Sequence, residues 1–103
     1  MNPDIPAAAP EVGRWLLQFA GSHAKRESAR FEAMVDLEET REGKAYRVRL
    51  ALGGRTTEGI VLGYPEVREG RSRFAWCEDL GQRIRREART LFGRPGAGES
   101  RSA

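Results

Sequence analysis

Two stretches of alternating apolar and polar side chains limit most strongly what this chain can fold into. In the first, an apolar side chain occupies every second position from Phe31 to Leu37; in the second, the pattern runs from Tyr46 to Leu52. An alternation with period two is typical of a β-strand that has one buried and one exposed face. Because a short polar segment separates the two strands, we expect an antiparallel hairpin with one face on a core.

The sequence REGK, residues 41–44, lies between these two strands. Setting Leu37 opposite Tyr46 keeps the apolar side chains of both strands on the same face, as a half-buried sheet requires. This register leaves a four-residue loop, Thr40–Gly43. Glycine closes such a loop at little steric cost because it adopts positive φ readily. We therefore predict that Gly43 is a turn residue with positive φ.

A nearly identical sequence, REGR, follows at residues 68–71. The pattern predicts a third strand over residues 58–64 and a fourth over residues 72–77. Pairing these strands leaves a three-residue loop, residues 68–70, in which Gly70 would occupy the positive-φ position of a β-bulge. We interpret the two similar sequences as two turns and not as a repeated functional motif, since the residues that flank them differ.

The glycine-rich stretch LGGRTTEG, residues 52–59, links the second predicted strand to the third. It lacks the G-x-x-x-x-G-K-[ST] spacing of a phosphate-binding loop, and it joins two strands instead of opening a helix. Setting Val48 opposite Ile60 leaves residues 53–55 as a hairpin loop. We therefore interpret this stretch as a turn as well.

Helical periodicity appears at both ends of this strand-rich region. Pro10 suits the first turn of a helix, and we expect that helix to end at Gly21, with residues 22–28 as a polar connection. A second helix is expected over residues 79–92, with Gly93 and Pro95 beyond it. The apolar faces of the two helices are Val12, Trp15, Leu16 and Phe19, and Leu80, Ile84, Ala88 and Leu91.

The predicted fold class is α+β: a four-stranded antiparallel meander flanked by an N-terminal and a C-terminal helix, in the order α-β-β-β-β-α. Residues 1–9 are expected to form a disordered N-terminal tail, residues 10–93 a single domain and residues 94–103 a flexible C-terminal tail. A chain of 103 residues is long enough for one hydrophobic core.

Few residues carry the chemistry of an enzyme. The chain has one histidine, His23, expected in the polar connection, and one cysteine, Cys77, expected as a half-buried filler. The acids Asp36 and Glu38 share a strand face, but the same register sets Asp36 opposite Arg47, so cross-strand ion pairing explains them. We expect no catalytic residue, no cofactor and no metal. The lone cysteine and the absence of an apolar leader or a long apolar run favour a cytoplasmic protein without membrane contact.

Two surfaces remain as candidates for binding a partner. The first is the outer face of the third and fourth strands. Small side chains there would leave an uncharged, weakly apolar strip that a second subunit or another protein could cover. The alternative is that the glycines there relieve sheet twist. The strip consists of Gly59, Val61, Gly63 and Ala75. From it we expect a non-catalytic binding module for a protein partner or for itself, as a homodimer.

The second surface is a basic face of the C-terminal helix with the residue that follows it. Arginines on one helix face can contact phosphates, so nucleic-acid binding is the alternative function. A solvated helix face, or an arginine-rich genome, explains the same residues without a ligand. The candidate residues are Arg85, Arg86, Arg89 and Arg94.

The stretch VDLEETREGKAYRV, residues 35–48, followed by SRFAW and a helix, resembles the Pur repeat family of nucleic-acid-binding modules, which have four antiparallel strands and a helix. Here Ala45 separates the basic from the aromatic position, and a helix precedes the sheet. The element order is also similar in part to double-stranded-RNA-binding domains. However, EDLGQRIRRE, residues 78–87, begins with acids where those domains carry lysines. We assign neither family.

Overall fold

The computed structural model describes residues 7–92 and confirms the α+β class. An N-terminal helix is followed by an antiparallel sheet of four strands and then by two helices. The elements are α1 (Ala9–Glu27), β1 (Glu32–Thr40), β2 (Gly43–Leu52), β3 (Arg55–Thr56), β4 (Ile60–Gly63), α2 (Tyr64–Gly70) and α3 (Phe74–Phe92). Residues 1–6 and 94–103 of the predicted tails lie outside the described residues, whereas Ala9, predicted as the end of the N-terminal tail, is buried at the start of α1.

The first hairpin has the predicted register. Leu37 lies opposite Tyr46, and Val35 lies opposite Val48. Only two residues, Arg41–Glu42, form the turn, because Thr40 and Gly43 still pair as strand residues. The predicted four-residue loop was therefore too long by a pair.

Gly43 takes the positive φ predicted for it, at +117°. The hydroxyl of Thr40 donates a hydrogen bond to the Gly43 carbonyl at 2.8 Å and accepts one from the backbone N–H of Glu42 at 3.2 Å. The threonine side chain thus satisfies backbone groups that the tight turn leaves unpaired.

The sheet has no continuous third strand. Instead, the two short strands β3 and β4 both pair with the same side of β2. Ile60 lies opposite Val48 as predicted, whereas the strand ends at Gly63 and Tyr64 begins a helix. Between β3 and β4, the buried Thr57 bonds Leu50 twice: its N–H donates to the Leu50 carbonyl at 2.9 Å, and its hydroxyl accepts from the Leu50 N–H at 3.0 Å. One side chain therefore replaces the backbone partner that the interruption removes.

The predicted fourth strand, residues 72–77, is wrong. These residues form the connection to α3 and its first turn, and Gly70 ends α2 without positive φ. Pro65 in the first turn of α2 fixes a helical φ there. A Cβ added at Gly70 would lie 2.2 Å from Cδ2 of Trp76, so this glycine makes room for an indole ring.

The first helix is longer than predicted, because Gly21 does not end it and α1 continues to Glu27. Its buried stripe continues through Ala20 and Ala24, which are too small to be conspicuous in a hydrophobic pattern. His23 therefore lies on a helix and not in the predicted polar connection. In the last turn of α1, the ammonium of Lys25 donates a hydrogen bond to the Phe31 carbonyl at 2.6 Å. This bond holds the end of the helix beside the start of β1.

The core lies between the inner face of the sheet and the three helices. Leu16, Leu50 and Ile84 are among its fully buried side chains, and the predicted inner face of α3 is buried. At the border of the core, the rings of Trp15 and Trp76 stack with their centroids 6.4 Å apart, and both are partly buried. The helices α1, α2 and α3 all pack on this core at the inner face of the sheet. They leave the outer face of the sheet and the free edge of β1 accessible.

Candidate protein-binding surface

The first feature of this surface is the free edge of β1. Within residues 7–92, β1 pairs with β2 only, so the backbone on its other side has no strand neighbour. The strand is nine residues long, and β2 matches it along its whole length. Every second N–H and C=O of such an edge points away from the sheet and is available for pairing with another chain.

An apolar groove runs between this edge and α1. Leu17 from the helix and Leu37 from the strand each keep 40% of their surface exposed, although both are large aliphatic side chains. Together with Val35 and Tyr46 they line a cavity of about 500 Å³ that is open to solvent. Two exposed leucines that line one open groove offer apolar surface that a partner could cover.

The floor of the groove is held in place by Tyr46. Its ring packs against Gly13, where an added Cβ would come within 3.1 Å of the ring. Its hydroxyl donates a hydrogen bond to the Ala9 carbonyl at 2.7 Å. Burial raises the pKa of Tyr46, so the phenol stays protonated and remains a donor. This contact fixes the distance between α1 and the sheet, and so the width of the groove.

The outer face of the sheet carries ion pairs between β1 and β2. Arg47 Nε donates to Glu38 at 2.5 Å, and Arg49 donates to Asp36 at 2.5 Å. The hydrogen bond that Arg47 donates to Glu38 is the main cause that raises the pKa of Arg47. Cross-strand ion pairing, the interpretation favoured from the sequence, is therefore present, although Asp36 bonds Arg49 and not its direct neighbour Arg47.

The four residues of the predicted weakly apolar strip do not form one surface. Val61 is 45% exposed and lies opposite Arg47, and Gly63 follows on the same strand. Gly59, with φ of +110°, lies under the stems of Arg47 and Arg49, since an added Cβ would be 2.9–3.0 Å from their Cγ atoms. Ala75 is exposed in the first turn of α3 and not on the sheet, because residues 72–77 are not a strand.

The arginines of α3 are partly engaged within the protein. Arg85 and Arg89 both bind Glu27, with Nε–O distances of 2.9 and 3.2 Å. These hydrogen bonds, Arg85 first, lower the pKa of Glu27 and keep it ionised. Arg86 is exposed, and Arg94 lies outside the described residues. The predicted basic face is therefore interrupted by a carboxylate that the sequence places 58 residues before Arg85.

His23 packs between two helices. Its ring lies 4.5 Å from that of Phe19 and directly over Gly81, where an added Cβ would be 2.6 Å from the ring. Its Nδ1 is buried and has no hydrogen-bond partner among the described residues. Burial, followed by the charges of Arg26 and Arg85, lowers the pKa of His23. The neutral ring is thus the form that this position favours.

Cys77 is a free, half-buried cysteine whose Sγ lies 3.5 Å from the Gly70 carbonyl and 3.6 Å from the Arg71 carbonyl. Burial raises the pKa of the Cys77 thiol, which disfavours the thiolate that a nucleophile or a metal ligand requires. Over residues 7–92 the structure shows no cluster of three or more His, Cys, Asp or Glu that could hold a metal ion. None of the helices in this range is long and apolar enough to cross a membrane.

The sequence analysis missed Leu17 and treated Leu37 as a core residue. The signal for Leu17 was its angle on the helix: it lies about 100° from Leu16, on the side away from Trp15, and so at the border of the buried stripe. Leu37 has the correct parity for the core, but it lines the open groove beside α1 and stays partly exposed. Comparison of the chain with models of known protein families, with curated proteins and with solved structures gives no match.

Proposed function

We propose that this protein is a binding module that receives an extended segment of a partner protein along the free edge of β1. The observation that carries the proposal is the coincidence of two features. A nine-residue strand edge has no neighbour within the described residues, and an apolar groove with two exposed leucines, Leu17 and Leu37, runs beside it.

Strand addition uses both features. Main-chain hydrogen bonds to the edge supply affinity, and pockets for alternate side chains supply specificity. Here every second side chain of an added strand would point to the same side as Leu37 and enter the groove against Leu17. Removal of this apolar surface from water contributes about 25 cal/mol per Å².

The edge supports a binding function better than the two surfaces expected from the sequence. On the outer face, the stems of Arg47 and Arg49 already cover Gly59, so less apolar surface remains to be buried. On α3, the carboxylate of Glu27 occupies two of the four candidate arginines. Nucleic-acid binding through the arginines of α3 stays a prediction with weaker support, as does homodimerisation through Gly59, Val61, Gly63 and Ala75.

A peptide-display selection followed by hydrogen exchange tests the proposal. We expect selected peptides to slow amide exchange in β1, and we expect Leu17→Arg and Leu37→Arg to weaken their binding at least about tenfold, because each places a charge in the groove. Phe74→Arg is the matched control, since Phe74 is 81% exposed on α3 and does not line this groove.

Two results would overturn the proposal. One is a selection that yields no peptide able to protect the amides of β1. The other is equal loss of binding in the control and in the groove variants. Circular dichroism and thermal melting of each variant separate loss of binding from loss of fold.

A further inference from the structure

The charge of the free edge indicates which kind of strand it accepts. Resting on the function proposed above, we propose that the partner segment alternates apolar and basic side chains and belongs to a different protein, not to a second copy of this chain. Three properties of β1 carry this inference: its charge, the position of its counter-ions and the symmetry of self-pairing.

The edge strand itself is strongly acidic. Over Glu32–Thr40 it has four carboxylates and no basic residue. Three of the acids occupy even-numbered positions, on the outer face of the sheet, while the odd-numbered Ala33, Val35 and Leu37 face the helices. The outer face of the strand therefore carries three acids, and the groove face carries three aliphatic side chains followed by Glu39. The four acids are Glu32, Asp36, Glu38 and Glu39.

The basic residues that pair with these acids lie on the far side of β1. Arg47, Arg49 and Lys44, which pairs with Glu39, all belong to β2, the strand on the side opposite to the free edge. A strand added at the free edge would lie about 4.8 Å from β1 and about twice as far from β2. Its outward side chains would therefore meet the acids before the arginines. Because each carboxylate has about four acceptor positions, it can bind a second cation from the other side.

A second copy fits this edge poorly. Antiparallel self-pairing over the whole strand places the two-fold axis at its middle residue, Asp36, and sets that carboxylate opposite its own copy. Moving the axis by one residue to Val35 instead sets Glu32 opposite Glu38, twice. Like charges directly opposite each other destabilise a sheet, whereas opposite charges stabilise it.

The apolar row defines the other half of the partner. Side chains that alternate with the basic ones would point to the groove face, where Leu17 and Leu37 are exposed and the Tyr46 ring forms the floor. The partner segment is therefore extended, with aliphatic residues at every second position and Lys or Arg between them. Such a segment would satisfy the backbone, the groove and the acids of one edge together.

Three synthetic nine-residue peptides test this inference by fluorescence anisotropy. All have valine at alternate positions, and the positions between are lysine, threonine or glutamate. We expect the lysine peptide to bind more tightly than the threonine peptide, and the glutamate peptide to bind most weakly. The first and last should differ about tenfold or more at low salt, and 0.5 M NaCl should narrow the difference by screening exposed charges.

A charge-reversing variant gives the matched control within the protein. Glu32 is exposed at the start of β1, and no ion pair among residues 7–92 includes it. Glu32→Lys should weaken the lysine peptide and strengthen the glutamate peptide, without effect on the threonine peptide. Phe74→Lys places the same charge on α3, away from the edge, and should leave the order unchanged.

The outcomes distinguish this inference from the function on which it rests. Equal binding of the three peptides, with protection of the β1 amides, overturns the charge preference and leaves strand addition intact. If no peptide binds or protects β1, both fail. A wild-type dimer that Leu37→Arg converts to a folded monomer would show that a second copy occupies the edge, and would overturn the inference as well.

Discussion

The turn at residues 41–44 and the helix end at residues 68–71 have nearly the same sequence but different structures. REGK makes a two-residue hairpin turn in which Gly43 has φ of +117°, whereas REGR spans the last turn of α2, where Gly70 is helical. The flanking residues decide between them: strict alternation borders the first sequence, and Pro65 with buried Tyr64 and Val67 precedes the second.

The comparison shows that glycine serves two distinct purposes in this fold. At Gly43 it permits a backbone conformation that side chains rarely adopt, and among residues 7–92 only its own chain neighbours come within 4 Å of an added Cβ. At Gly70 the backbone is ordinary, but the ring of Trp76 occupies the place of a side chain. At Gly43 the backbone conformation requires glycine, and at Gly70 the packing of a neighbouring ring requires it. Substitutions at the two positions should therefore differ in how much they destabilise the fold and in the cause.

Gly70→Ala should have the largest effect. The new methyl would lie 2.2–2.6 Å from three atoms of the Trp76 ring, so that ring must move and leave its contacts with Trp15 and the Glu66 carboxylate. We expect a loss of about 1–3 kcal/mol in the free energy of unfolding, the range of overpacked cores. Urea unfolding followed by tryptophan fluorescence measures it.

A double-mutant cycle with Trp76→Ala checks the cause. If the ring is the obstacle, Gly70→Ala should cost far less once the ring is absent, and the coupling energy should be a large part of the single effect. If Gly70→Ala destabilised the wild type and the Trp76→Ala variant equally, the ring would not be the obstacle. Gly70 would then be required for its backbone conformation, as Gly43 is.

Gly43→Ala should have a smaller effect, about 1 kcal/mol, from backbone strain at positive φ. Gly43→Asn should cost about as much as Gly43→Ala, because φ of +117° lies outside the left-handed region that asparagine tolerates. The same unfolding measurement applies. If both variants were as stable as the wild type, strain at this φ would not be what glycine relieves at the turn.

His23 and Gly81 should give the smallest effect and one that depends on pH. Because the folded protein lowers the pKa of His23, the unfolded state binds more protons between the folded pKa and about 6.5. Stability should therefore be complete above about pH 6.5 and decline as the pH falls through the lowered folded pKa. His23→Phe keeps a ring over Gly81 without a titrating group.

The pH profile of His23→Phe should be flatter than that of the wild type in this window. Glu27, whose pKa is also lowered, loses its contribution at lower pH, below its ordinary value, so the two effects separate. Gly81→Ala should displace the ring, whose atoms lie 2.6–3.0 Å from the new Cβ, and should reduce the same pH dependence. An unchanged profile in both variants would assign the pH dependence to other groups.

The sequence was sufficient where local pattern and tertiary structure agree. Alternation predicted the register of β1 and β2, and the pairing of Val48 with Ile60, because a shift by one residue would turn every side chain to the wrong face. It failed at residues 72–77, where Phe74 and Trp76 also alternate, yet Phe74 is exposed at a helix start and Trp76 packs on Gly70.

The candidate site was harder to predict than the fold. The order of the strands in the sheet decides which strand lies at an unpaired edge. The residues of β1 alone therefore do not indicate that it is an edge strand. Leu37 has the pattern of a core residue, and its exposure depends on where α1 lies above the sheet. The engagement of Arg85 and Arg89 by Glu27 likewise depends on the packing of α1 against α3, which joins residues far apart in the chain.

The interruption between β3 and β4 has a consequence for the stoichiometry of any complex. The two sides of the sheet are unequal: β1 offers nine residues, whereas the opposite side consists of a two-residue and a four-residue strand separated at Thr57. A short, broken edge is a poor template for a further chain. Once a strand occupies β1, the opposite side gives the sheet little means to extend, so complexes should be one-to-one and should not grow into fibrils.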